Sequence, residues 1–210
     1  MEFVDVPAGA FTMGWDVGHP SERPPHVVWV DAFRVAVTPV TNAEYAVYLA
    51  AGGARPPLWD APGFDDPAQP VVGLSWWQAA ALAAWAGARL PTEAEWERAA
   101  RGGVDGARYP WGDARPATMF TRPPRVRATP ANPLGLFDLS GVCHEWCADW
   151  YADDYYAASP PRNPGGPAQG TRRVSRGGAW RHADPWSAVA HRSSLPPHLG
   201  HSDYGVRLAR

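Results

Sequence analysis

Arg89 to Gly103 reads RLPTEAEWERAARGG, and this stretch sets the pattern for the chain around it. Thr92 followed three residues later by Glu95 is a capping box: the hydroxyl takes a free amide of the first turn, and the carboxylate reaches back to the cap's own amide. A helix therefore starts there. Trp96, Ala99 and Ala100 fall on one face, Glu93 and Glu97 lie four apart on another, and Glu97 precedes Arg101 by four in the order that favours an ion pair. Gly102 and Gly103 end the helix. Capping and ion pairing account for Glu93, Glu95 and Glu97, so acid–base catalysis is not assigned to them.

Working outward, Thr41 with Glu44 is a second capping box, opening a helix with Tyr45, Tyr48 and Leu49 on one face and Gly52-Gly53 at its end. Ser75 with Gln78 is a third. It opens SWWQAAALAAWAG, which is apolar on nearly every side and is expected to lie buried against a sheet. Upstream, Glu2 to Gly14 alternates around Pro7-Ala8-Gly9 and reads as a hairpin, with Phe3, Val4, Val6, Phe11 and Met13 as core candidates. His26 to Val37 is rich in β-branched and aromatic residues and reads as strand. Downstream, Val104 to Pro133 has almost no periodicity; a loop of that length is usually functional or held by an ion. Gly135 to Tyr151 tightens around Trp146 and Trp150. The chain closes with strand-like RRVSRGGAW, a polar loop from Arg181 to Asp203, and a last strand, YGVRLAR. Helices joined to short strands by long irregular connections indicate an α+β fold with a mainly antiparallel sheet.

The 210 residues suit one domain, 1–210, with a single core. Twelve Trp among 24 Pro and 21 Gly suggest irregular loops pinned by aromatic anchors, each indole N–H needing a partner. The hydrophobic content of 45% argues against disorder. Net charge is −2 and every basic side chain is Arg. Without a basic run punctuated by exposed aromatics, no nucleic-acid partner is expected. The lack of a long apolar run or an apolar leader points away from a membrane and towards the cytoplasm. Two Cys make no disulfide framework.

RLPTEAEWERAARGG with YPWG at Tyr109 to Gly112 resembles the formylglycine-generating-enzyme family, the sulfatase-modifying factors. PAGAFTMG (Pro7 to Gly14), PVTNAEY (Pro39 to Tyr45), GLFDLSGVCHEWCADWY (Gly135 to Tyr151), RVSRGGAW (Arg173 to Trp180) and GVRLA (Gly205 to Ala209) follow in the family's order, so the resemblance covers nearly the whole chain. It implies a C-type-lectin-like fold of the formylglycine-generating-enzyme type. That fold has little regular secondary structure, a mixed or antiparallel sheet, two to three helices, neighbouring first and last strands, and long loops that build one binding face. In those enzymes two cysteines, two and seven positions beyond the aromatic of the RGG motif, hold copper and use dioxygen to turn a substrate cysteine into formylglycine; soft thiolates select Cu(I). Counted from Trp180 these positions are His182 and Ser187, so formylglycine generation does not carry over.

The family's structural calcium is also affected. Relatives carry an amide side chain where this chain has Val142, which leaves Glu145 as a buried hydrogen-bonding group or a residual calcium ligand. His182, His191, His198 and His201 crowd the loop that carries the relatives' active site, and imidazoles there could hold copper or iron. Cys143-His144-x-x-Cys147 resembles a ligand cluster, but residue 143 is expected to pack inward. The residues themselves assign no cofactor, and His182 and Ser187 are the only catalytic candidates. Arg181, His182, Asp184, Trp186, His191, Arg192, His198, His201, Asp203 and Tyr204 form a recognition surface between rigid strands. Related variable proteins of diversity-generating retroelements use this loop for binding. Two functions follow: a module binding a protein or small ligand through 181–203, or a metal-dependent, dioxygen-using oxidoreductase with histidine ligands around His182, acting on a thiol or other small substrate. An inert loop is the bland alternative.

Overall fold

The computed structural model describes residues 1–114, 120–182 and 186–210. All three capping boxes form. They open α1 (Asn42–Ala50), α2 (Trp76–Trp85) and α3 (Glu93–Arg101), each with the cap hydroxyl accepting the third amide and the Glu carboxylate or Gln amide oxygen accepting the cap residue's own N–H. Gly102 closes α3 at φ 59°, a left-handed position that glycine takes without the Cβ penalty.

The strands are β1 (Phe3–Val6), β2 (Gly9–Met13), β3 (His26–Val30), β4 (Phe33–Ala36), β5 (His144–Trp150), β6 (Arg173–Arg176), β7 (Ser193–Leu195) and β8 (Tyr204–Gly205). Glu2 to Gly14 is not a hairpin. β1 pairs antiparallel with β4 and β2 with β3, so Pro7-Ala8 carries the chain from one two-stranded ribbon to the other. The final segment bonds to the far edge of β4 through Arg34–Arg210 and Ala36–Leu208 backbone pairs, which leaves β4 between the first strand and the chain end. The four-stranded sheet runs β7-β6-β5-β8, antiparallel except for a parallel β5–β8 pair.

α3 is the central element, but its buried face is not simply apolar. Trp96, Ala99 and Ala100 are in the core, and so are Glu93, Glu97 and Arg101. Glu97 Oε1 receives Arg101 (Nε 3.0 Å, Nη2 2.6 Å) and the Gly14 amide (2.9 Å), and Oε2 receives Arg176 at 2.5 Å. Glu93 takes a two-pronged contact from Arg192 (2.8 and 2.9 Å) and a third from Arg176 (3.1 Å). Ion pairing does account for these carboxylates, mostly with arginines about 80 to 100 residues further along the chain. Burial pushes the Glu97 carboxyl up, but Arg176 and Arg101 more than offset it and hold it below its usual range.

α2 departs from expectation. Ala79, Leu82 and Ala83 are buried, whereas Trp77 and Trp85 are 55% and 45% exposed, so α2 is a surface helix with a polar-depleted outer face. Other indoles act as anchors: Trp96 donates to Glu145 (2.6 Å), Trp146 to the Leu74 carbonyl (2.8 Å) and Trp76 to the Cys147 carbonyl (2.8 Å). Trp76 and Trp150 sandwich the Arg173 guanidinium at 3.9 and 3.5 Å.

The long segment after α3 is tied by side chains. Asp138 accepts the amides of Arg127, Ala128 and Thr129, and Asn132 donates to the carbonyls of Ala99 (2.6 Å) and Ala100 (3.1 Å) at the end of α3. Among the described residues no helix is long and apolar enough to cross a membrane.

Two predictions follow from the buried charges. Glu97→Ala leaves Arg176 and Arg101 without their shared carboxylate, and should lower unfolding free energy by about 3–5 kcal/mol in urea titrations; a loss typical of a surface ion pair would show the network to be dispensable. Asp149 lies beside Glu93, whose amide it accepts at 2.8 Å, and burial followed by the Glu93 charge raises its carboxyl to about 8. The folded protein thus keeps a proton that the unfolded chain sheds above its ordinary value, and stability falls as pH rises towards about 8. Asp149→Asn should therefore gain in Tm relative to the parent between about pH 5 and pH 8; a pH-independent difference would contradict this.

Candidate functional site

Two pieces of local geometry build the site. After β6 the chain reverses through Gly177 (φ 92°) and Gly178 (φ 64°). A Cβ on Gly178 would stand 2.5 Å from the Trp186 carbonyl oxygen, so only glycine lets the two arms of the loop pack together. This turn leads to Arg181 and His182. Independently, the parallel β5–β8 register sets His144 opposite Tyr204, and the His144 amide donates to the Asp203 carbonyl at 2.8 Å. Asp203 and Tyr204 thereby lie beside the first residue of β5.

His182 meets this pair. Its Nδ1 is 3.2 Å from His144 Nε2, and its Nε2 is 3.5 Å from Asp203 Oδ2. One donor atom from each of the three falls within 4.8 Å of the others. The Arg181 Nε–H donates to Asp203 Oδ2 at 2.7 Å, while Asp203 Oδ1 and His144 Nδ1 are buried without a hydrogen-bond partner among the described residues. The His144 ring lies against Tyr204, with centroids 4.7 Å apart and planes at 27°. Burial, reinforced by the neighbouring His182, holds His144 well below its usual pKa, and it is a neutral imidazole. Burial also lowers His182, against the opposing pull of Asp203.

The group opens into a cavity of about 470 Å³ whose lining includes Arg172, Arg181, Trp186, Arg192, His201 and Tyr204. Trp186, 52% exposed, also walls a second cavity of about 320 Å³ with Trp15, Val17, His19, Glu22 and His191. His191 belongs to that side, its Nδ1 3.0 Å from Glu22 Oε1. Arg192 reaches the first cavity but is committed to Glu93. His198 is exposed and is not among the residues lining either cavity. Asp184 lies outside the described residues. Of the histidines expected to gather, His182 alone belongs to a ligand-distance group among the described residues; its partner there is His144 from the CHEWC stretch. The clue lay in Cys143-His144-x-x-Cys147, but neither thiol takes part.

The donor set does not fit the family's dithiolate copper. Ser187 is buried, and its carbonyl receives the Ser140 hydroxyl. Cys143 and Cys147 are free and buried, and burial pushes both thiols well above their usual range, so neither supplies a thiolate. Calcium at Glu145 is likewise displaced: Arg207 contacts both carboxylate oxygens at 2.8 to 3.1 Å and Trp96 takes a further position on Oε2.

The sulfatase-modifying factor enzyme 1-like domain family matches residues 1–210. The serine/threonine-protein kinase pkn1 of Chlamydia caviae is 38% identical over 237 residues, covering 100% of this chain and 38% of the kinase, so the chain spans well under half of that relative. The formylglycine-generating enzyme of Streptomyces coelicolor is 34% identical, covering 98% of this chain and 88% of the enzyme. The solved Treponema denticola variable protein 1 superposes with a TM-score of 0.84 at 25% identity, covering 99% of this chain and 94% of that one. With this match along its full length, on a three-helix α+β framework that keeps the RGG turn, the chain belongs to the sulfatase-modifying factor enzyme 1-like family and has the formylglycine-generating-enzyme fold.

Proposed function

We propose that the chain is a binding module that takes a small ligand carrying a carboxylate or similar anion into the cavity beside Tyr204. The observation that carries the reading is the character of that cavity. At about 470 Å³ it has the size of small-molecule sites, and its lining offers Arg172, Arg181 and three imidazoles against a single carboxylate, Asp203. Trp186 and Tyr204 add rings on which a planar group can stack. The polar groups are set at strand ends and at the glycine turn, so recognition can be tuned in the loop while the sheet stays intact.

A second reading, a metal-dependent, dioxygen-using oxidoreductase acting on a thiol or other small substrate, is favoured by one specific observation: His182, at the position of a relative's copper ligand, has His144 and Asp203 at coordinating distance. Formylglycine generation itself is not proposed.

Isothermal titration with a panel of small mono- and dicarboxylates and their thiol-bearing analogues tests the first reading. Arg172→Ala, which removes an exposed cavity-lining arginine, and Trp186→Ala should each weaken the best binder at least about tenfold, roughly 1.4 kcal/mol, with Tm little changed. Affinity unchanged in both variants would remove the cavity from consideration. Under the second reading, oxygen consumption with a reductant present should vanish in His182→Ala while its Tm holds; persistence of turnover in that variant would end the assignment.

A further inference from the structure

We infer that His144, His182 and Asp203 form a binding site for one divalent first-row transition-metal cation, held by two imidazole nitrogens and one carboxylate oxygen. The inference deepens the oxidative reading and shares its choice of pocket, but metal uptake is read without any turnover.

The geometry is the first support. Two imidazole nitrogens 3.2 Å apart have the spacing of neighbouring ligands on one ion with metal–nitrogen bonds near 2.1 Å. In the metal-free arrangement that contact is a single hydrogen bond between the rings, while the other nitrogen of His182, Nε2, stands 3.5 Å from Asp203 Oδ2, and one donor atom of each of the three side chains lies within 4.8 Å of the others. The second support is the unmet demand. Asp203 is wholly buried, Arg181 satisfies only Oδ2, and Oδ1 has a full lone pair facing no donor among the described residues. Leaving such an oxygen unpaired is costly, and a cation is the partner that a buried carboxylate flanked by neutral imidazoles accepts best. Arg181 is then a positioning residue, fixing the carboxylate from behind as outer-shell partners do.

The chemistry of the set selects the class of metal. Two imidazoles and one carboxylate are harder than the paired thiolates of the family's copper centre, and suit Fe²⁺, Mn²⁺, Co²⁺ or Zn²⁺ in place of Cu(I). Two-His-one-carboxylate sites that leave positions open are the iron(II) oxygenase arrangement. Here the open side is the cavity: His144 and Asp203 are enclosed, while the His182 side chain is 27% exposed at its mouth.

Co²⁺ titration of the purified, metal-stripped protein reports the site directly, because new visible ligand-field bands, shifted and more intense than those of the aqua ion, appear when protein ligands replace water. The expected result is about one Co²⁺ per chain, a Tm that rises with Co²⁺ concentration, and bands bleached by excess chelator. His182→Ala keeps the buried pair and should fold, yet lose the bands and the Tm rise; Asp203→Asn should do the same. His201→Ala, which lines the cavity outside the trio, should bind as the parent does. Folded parent protein without bands, or His182→Ala with undiminished bands, overturns the inference. Bound cobalt together with iron-loaded protein that consumes no oxygen upholds the site and rejects the oxidative reading.

Discussion

Everything in this fold leans on two carboxylates that have left water. Glu93 and Glu97 sit one turn apart on α3 and are met by Arg101 on the same helix, Arg176 at the end of β6 and Arg192 just before β7. Arg176 also donates to the Val189 and Ala190 carbonyls, and Arg192 to those of Ser21 and Ala152. One helix face thus gathers four distant segments, around Ser21, Ala152, Arg176 and Val189 to Arg192. Buried ion pairs of this kind cost much to desolvate and repay it only when nearly every donor and acceptor is matched. Here the matching fixes one arrangement of loops that contain little regular structure of their own. Arginine suits the task because its planar fork satisfies two carboxylate oxygens and leaves further N–H groups for carbonyls.

The candidate site hangs from the solvent side of that network. Arg176 ends β6 inside the core, and the very next residues are the two glycines that swing Arg181 and His182 outward. Arg192, likewise anchored to Glu93, returns the other arm of the loop. The two ends of the loop are therefore clamped by the same carboxylate, Glu93. Across the gap, the parallel β5–β8 pair offers His144 and Asp203 from the sheet. An insertion or exchange between the clamps alters the cavity without touching the charges that hold the sheet to α3.

How much of this was legible varied with range. All three capping boxes were readable because their signal is four residues long, and all three form. The strands at either end of Pro7-Ala8 were also readable, but their partners were not. Pairing with β4 and β3 depends on ribbons completed 13 to 33 residues later, and alternation is the same for either partner. The burial of α2 was overestimated since an all-apolar pattern cannot say which face the sheet leaves bare. At the site, His182, Asp203 and Tyr204 could be singled out from the loop that holds them. His144 could be seen as part of a CHEWC cluster, yet its membership of the trio rests on a two-residue parallel pairing with no local signature. That Glu145 would be a buried hydrogen-bonding group was readable, but its partner Arg207, about sixty residues away, was not, for the same reason.

Trp186 is a single indole shared by two cavities, one around His182 and the Arg172 and Arg181 side chains and one around Trp15 and Val17. A partition with two faces cannot serve them independently. Any turn of the ring that widens one chamber narrows the other, so the free energy of filling the first contains a contribution from the state of the second. Thermodynamic linkage makes that contribution reciprocal. Two small ligands would regulate one another across a few ångströms of aromatic carbon, and one long enough to reach both would hold the ring between its ends.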